Sequence, residues 1–83
     1  MVSSDQIKEL IARDIDVEHV IAELNGANIN LVVVSQVFDG LNSVKKQQLV
    51  YSSLKDLIAK GDLHAVTMKL YTPLEWKQAK HFI

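Results

Sequence analysis

Asn25-Gly26 stands between two runs of strand-forming residues, 17–24 and 27–35. Few dipeptides constrain a chain more. Both residues tolerate the positive φ of a type I′ turn, so the flanking runs are expected to fold back as an antiparallel hairpin. Val20 and Ile21 lie at the centre of the first strand. In the second, Ile29, Leu31 and Val33 share one parity, and Asn28, Asn30, Val32 and Val34 the other. This strand becomes apolar on both faces toward its end, which predicts a central place in a sheet.

The residues beyond the hairpin limit the fold further. Residues 38–43, Phe-Asp-Gly-Leu-Asn-Ser, read as a turn pivoting on Gly40, with Asn42 or Ser43 as a helix cap. Val50, Leu54, Leu57 and Ile58 then recur at i, i+4, i+7 and i+8, an amphipathic helix that Gly61 ends. A third strand over 64–71 completes a strand–helix–strand crossover, which puts its two strands parallel. Two further helices frame this unit. Ser3 and Gln6 have capping-box spacing before Ile7, Leu10 and Ile11, and that helix is expected to fade near Arg13 or Asp14. Thr72-Pro73-Leu74-Glu75 opens the last helix, with Thr72 as cap, Pro73 at the first helical position and Trp76 as an anchor to the core. Residues 80–83 read as a frayed tail.

The expected order is α-β-β-α-β-α, a single α+β domain over 1–83 with its ordered part at about 3–79. A three-stranded mixed sheet with helices on one face is the economical arrangement for so short a chain. At 83 residues such a domain buries only about 60% of the surface its unfolded chain exposes, so its core must be well filled. The hydrophobic fraction of 48% suits that demand.

Cysteine is absent. No disulfide forms and no thiolate is available as nucleophile or metal ligand, which fits a reducing compartment. The first ten residues lack the basic and apolar pattern of a secretion signal, and the longest apolar run, 31–34, is too short to cross a bilayer. A soluble cytoplasmic protein is expected. Charge is uneven: residues 1–39 carry seven acids against Lys8 and Arg13, whereas residues 40–83 carry seven lysines against Asp56, Asp62 and Glu75. Such a split marks either a basic face for an anionic partner or ordinary solvated charge.

His64 raises a separate question. By parity it opens a row continued by the apolar Val66, Met68 and Leu70. From the residues alone, two readings stand. The imidazole hydrogen-bonds at the strand start and helps fix the turn at Gly61-Asp62, or it stays at the surface as a ligand.

The stretches 37–51, Val-Phe-Asp-Gly-Leu-Asn-Ser-Val-Lys-Lys-Gln-Gln-Leu-Val-Tyr, and 63–76, Leu-His-Ala-Val-Thr-Met-Lys-Leu-Tyr-Thr-Pro-Leu-Glu-Trp, together resemble the BolA-like proteins, in particular their short bacterial branch. The resemblance covers about residues 3–77 and implies a fold related to the class II KH domain. It also implies pairing with a monothiol glutaredoxin around a bridging [2Fe-2S] cluster, with His64 as the iron ligand this chain contributes. Thiolates would then come from the partner and a bound thiol, and replacing thiolate by imidazole raises a cluster's potential. In the same family, nucleic-acid binding and transcriptional control of stress response and cell shape form the alternative reading. The Gly-x-x-Gly loop with which KH domains grip nucleic acid is missing, since Gly26, Gly40 and Gly61 are isolated. Many relatives carry a second His or Cys ligand in the hairpin; here Asn28 stands where it is expected, which predicts weaker or more labile cluster binding.

Lys45 and Lys46, at the start of the long helix, and Lys69 are the expected contacts for phosphate or for acidic groups of a partner. The helix start is also expected to form part of the docking surface for the glutaredoxin. His19 and His81, the other imidazoles, are assigned no role. A catalytic function finds little support. There is no Cys nucleophile, no Ser-His-acid spacing, and only the Asp62–His64 pair for acid–base work. A non-enzymatic module is expected, monomeric or a weak homodimer when alone.

Overall fold

The computed structural model describes residues 2–80. Seven elements succeed one another: α1 (Ser4–Asp14), β1 (His19–Asn25), β2 (Asn28–Val34), a short 3-10 turn (Gln36–Phe38), α2 (Ser43–Ala59), β3 (Ala65–Tyr71) and α3 (Pro73–Lys80). The sheet order is β1-β2-β3, with β1 antiparallel and β3 parallel to the central β2. This is the mixed α+β arrangement expected from the crossover. The tail over 81–83, His81 included, lies outside the described residues; Lys80 itself ends α3.

The helix starts are set by local chemistry. Ser3 Oγ accepts from the Gln6 amide at 3.2 Å while Gln6 Oε1 accepts from the Ser3 amide at 2.9 Å, a reciprocal capping box. Thr72 and Glu75 repeat it at α3, with 3.2 and 2.9 Å bonds. Asn42, not Ser43, caps α2, its Oδ1 accepting from the Lys45 amide at 2.9 Å.

The hairpin departs from expectation by one residue. Asn25 pairs with Asn28, so the two loop residues are Gly26 and Ala27. Only Gly26 has a positive φ, +64°, which is the pattern of a type II′ turn. Type I′ would demand two left-handed residues. Type II′ demands one, and the glycine takes it without a Cβ penalty.

One face of the sheet carries Val20, Ala22 and Leu24 on β1, Ile29, Leu31 and Val33 on β2, and Val66, Met68 and Leu70 on β3, in register. Against it pack Ile7 and Ile11 of α1 and Val50 and Leu54 of α2, with Phe38 from the 3-10 turn. These fill the main core.

Among the described residues the opposite face is covered at one end only. His19, Val34 and Tyr71 lie side by side across it. Trp76 of α3 reaches this row, its ring centroid 5.8 Å from His19 and 5.5 Å from Tyr71. Val34, between those two rings in register, is fully buried yet separate from the main core. Trp76 thus anchors α3 to a small second cluster rather than to the main core. His19, which sequence spacing leaves without a role, supplies one wall of it.

Candidate functional site

The segment that presents His64 is held at both ends. Helix α2 stops in a Schellman motif: the Gly61 amide donates to the Ile58 carbonyl at 3.1 Å and the Asp62 amide to the Leu57 carbonyl at 3.0 Å. Gly61 sits at φ +81°, the left-handed conformation this motif requires. The Leu63 side chain then enters the core, 1% exposed, and the His64 amide donates to the Ala27 carbonyl at 2.8 Å. The strand itself begins one residue later, at Ala65. His64 therefore does not open the apolar row. Leu63 fills the inward place and Val66 starts the row, while a bend at His64 leaves its side chain exposed.

No hydrogen bond, ion pair or ring contact engages the His64 imidazole among the described residues. Its backbone is fixed and its ring is accessible. The bond to Ala27 puts it beside the hairpin end of the sheet, where Asn28 faces Ala65 in register and is itself exposed. A shallow cavity of about 410 Å³, lined by Leu24, Gly26, Ala27, Gly61 and Asp62 among others, adjoins this corner. His64 is not hydrogen-bonded to Asp62, so no preformed acid–base pair is present. Among the described residues no three His, Cys, Asp or Glu side chains are grouped so as to hold a metal ion. The exposed imidazole fits the role of one donor to a metal whose other ligands come from elsewhere.

The lysines lie elsewhere. Lys45 is exposed at the start of α2, and its amide is already taken by Asn42. Lys46 is mostly covered, its side chain 17% exposed, and pairs with Glu75 at 3.8 Å. Ser43, Lys46 and Gln47 line a small cavity with Met68 and Leu70, which places the helix start at the far end of β3. Six residues of strand separate Leu70 from His64, roughly 20 Å. The helix start and His64 therefore lie at opposite ends of β3. Lys69 is exposed on the other face of the sheet, opposite Val32. The three lysines do not converge on one patch.

Glu75 is bound more tightly than its position in an exposed first turn suggests. The Thr72 backbone amide, above all, holds its carboxyl below the ordinary glutamate value; burial opposes it, and the Thr72 hydroxyl and Lys46 add smaller lowering effects. The Lys46–Glu75 pair ties the starts of α2 and α3 together. Neither that pair nor the His19–Tyr71–Trp76 cluster is signalled by sequence spacing; the first arises from how α2 and α3 pack at the end of β3, the second from strand register.

No helix among the described residues is long and apolar enough to cross a membrane.

Comparison with known proteins agrees with this fold. The family described as BolA-like protein matches residues 8–75. The chain is 36% identical over 73 residues to the acid stress protein IbaG of Escherichia coli (strain K12), covering 88% of this chain and 87% of that one. Among solved structures, a bol-like protein from Babesia bovis superposes with a TM-score of 0.85 at 31% identity, covering 96% and 95% of the two chains. A bolA protein homologue from Coxiella burnetii gives 0.79 at 33% identity over 93% and 99%. The BolA domain of SufE1 from Arabidopsis thaliana gives 0.80 at 28% identity over 90% and 99%. With its elements, their order and its sequence all in accord, the chain belongs to the BolA-like protein family.

Proposed function

We propose that this protein is a non-enzymatic interaction module that pairs with a monothiol glutaredoxin around a bridging [2Fe-2S] cluster, in iron–sulfur cluster handling or iron-redox regulation. The observation that carries the reading is His64: an accessible imidazole without a protein partner, on backbone pinned by Gly61, Leu63 and Ala27. A donor held in this way loses little conformational freedom when a second protein completes the coordination. The chain itself has no cysteine, so every thiolate in such an assembly belongs to the partner side. The cluster would supply electron transfer or a transferable iron–sulfur unit; the role of this chain is to offer one neutral nitrogen. Protonation of that nitrogen abolishes ligation, so the assembly is expected to weaken in acid.

Asn28 is a poor iron ligand at the adjoining hairpin, so the complex is expected to release its cluster readily. Co-expression with a monothiol glutaredoxin tests the proposal. A coloured heterocomplex containing iron and sulfide is expected, with a visible circular dichroism spectrum altered by His64→Ala. A spectrum unchanged by that substitution would remove His64 from the coordination. Asn28→His is expected to slow cluster loss to a chelator.

The alternative, a nucleic-acid-binding regulator, draws on the exposed Lys45 and Lys69. It is weaker, because Lys46 is engaged by Glu75 and the two exposed lysines lie on different faces. Band shifts over a salt series decide it: absence of binding at low salt eliminates this reading.

A further inference from the structure

β3 is an edge strand, and the pairing fixes which of its backbone groups are committed. The Ser35 amide donates to the Tyr71 carbonyl at 3.0 Å. In a parallel pair alternate residues bond to the neighbour, so Tyr71, Lys69 and Thr67 turn their backbone toward β2. The N–H and C=O groups of Val66, Met68 and Leu70 therefore point away from the sheet, and no strand lies beyond them among the described residues. No proline interrupts β3. Among the described residues of this strand, Lys69 is the one charge that guards the edge.

The side chains of the same three residues are half-buried on the face covered by α2. Along α2, Gln47, Tyr51 and Ile58 share one stripe, at i, i+4 and i+11, on the side of the helix away from Asp56. Gln47 lines a cavity of about 160 Å³ with Met68 and Leu70. Tyr51 and Ile58, further along the same stripe, remain 39% and 36% exposed. An open strand edge thus accompanies a helix stripe that leaves Tyr51 and Ile58 partly exposed.

From residue 43 to 71 the chain carries five lysines against Asp56 and Asp62, and among the described residues only Lys46 of the five is in an ion pair, with Glu75 at the start of α3. Asp56 acts on Arg13, on the α1 side of α2, and Asp62 lies in the turn before β3. Lys55 is one helical turn from both Tyr51 and Ile58, and Lys69 projects from β3 itself. An extended segment laid along β3 would bond to Val66, Met68 and Leu70. It would turn every second side chain toward Tyr51 and Ile58 and the intervening ones toward the face of Lys69.

We propose that the open edge of β3, with the α2 stripe of Gln47, Tyr51 and Ile58, is a docking site for an extended acidic peptide segment of a partner protein, its apolar residues alternating with acids. This site is separate from the His64 corner and does not depend on cluster binding.

A fluorescein-labelled short peptide alternating Glu with Val and Leu tests it, with a counterpart carrying Lys in place of Glu. Fluorescence anisotropy is read at low and raised salt against the full chain. The acidic peptide is expected to bind, more weakly as salt rises, and the basic one not to bind. Ile58→Glu and Lys69→Glu, both at exposed positions, are expected to weaken binding at least tenfold, and His64→Ala to leave it unchanged. Amide resonances of Val66, Met68 and Leu70 are expected to shift and gain exchange protection. Absence of binding at low salt, indifference to Ile58→Glu, or loss of binding in His64→Ala overturns the proposal. So does displacement of the peptide by a single-stranded oligonucleotide that shifts the same amides, which assigns the edge to nucleic acid. Concentration-dependent self-association through those amides equally overturns it, by assigning the edge to a second copy of the chain.

Discussion

Replacing Gly61 by alanine isolates the backbone device that presents His64. Gly61 lies at φ +81°, and a Cβ built there meets no atom within 4 Å. The cost of Gly61→Ala is therefore conformational, not steric crowding by neighbours. A left-handed conformation costs an L-residue about 1–2 kcal/mol. The smaller entropy of the unfolded alanine chain offsets part of this, by about 0.4–1 kcal/mol. A net loss of about 1 kcal/mol is expected, or roughly 4–8 °C in melting temperature for a domain of this size. Gly61→Asn should cost less, because its short polar side chain tolerates the left-handed region. Urea unfolding followed by far-ultraviolet circular dichroism measures all three proteins, with the slope of the transition expected to stay constant. If alanine proves neutral or stabilising while asparagine destabilises, the Schellman motif does not hold this turn and the argument for a fixed His64 backbone fails.

Three other outcomes are expected. Val34→Ala and Trp76→Ala should couple by about 0.5–3 kcal/mol in a double-mutant cycle, whereas Val33→Ala, on the opposite face, should add to Trp76→Ala without coupling. Additivity in both cycles would dissolve the second cluster. Ser35→Ala should cost about 1–3 kcal/mol by denaturant unfolding, since its buried hydroxyl donates to the Asp16 carbonyl at 2.6 Å and accepts from the Val37 amide at 3.2 Å. Glu75→Gln keeps an acceptor for the capping box but removes a charge whose folded pKa lies below its unfolded one. The stabilisation from Glu75 is thus present above the ordinary glutamate range and lost as pH falls through the folded value. Its side chain is half exposed, so the effect is on the order of a few tenths of a kcal/mol. Stability profiles of wild type and Glu75→Gln between neutral pH and pH 3 should converge in acid, and parallel profiles would exclude the linkage.

The parts of this fold legible from sequence are those fixed by contacts three or four residues long. Ser3 with Gln6 and Thr72 with Glu75 close their bonds within one helical turn, so residue type and spacing suffice, whereas at α2 spacing leaves Asn42 and Ser43 both open as the cap. The central place of β2 is legible for a different reason. Val33 and Val34 are apolar on opposite faces, and only a strand covered on both sides buries both. Register is not legible. A loop at Asn25-Gly26 and one at Gly26-Ala27 differ by two residues in pairing, so each sets the even residues of β1 against the odd residues of β2. The apolar pattern cannot separate them, and turn geometry alone does. Everything that depends on register is hidden with it, including the row of His19, Val34 and Tyr71 beneath Trp76.

His64 shows where this boundary falls within the candidate site itself. Carrying the period of β3 back one step from Val66 and Met68 assigns the imidazole to the covered face. The period fails there because two bonds of longer sequence reach intervene, Leu63 to Leu57 and His64 to Ala27. They pull Leu63 into the core and turn the chain at the next residue. The burial of an apolar side chain, worth about 1.5–3 kcal/mol for leucine, outweighs one more residue of regular strand. An imidazole one step from a buried leucine is thereby exposed without any residue of its own to hold it out. Its accessibility is a consequence of packing at Leu63, so Leu63→Ala should change the environment of the His64 ring in an NMR spectrum even though the two side chains point apart.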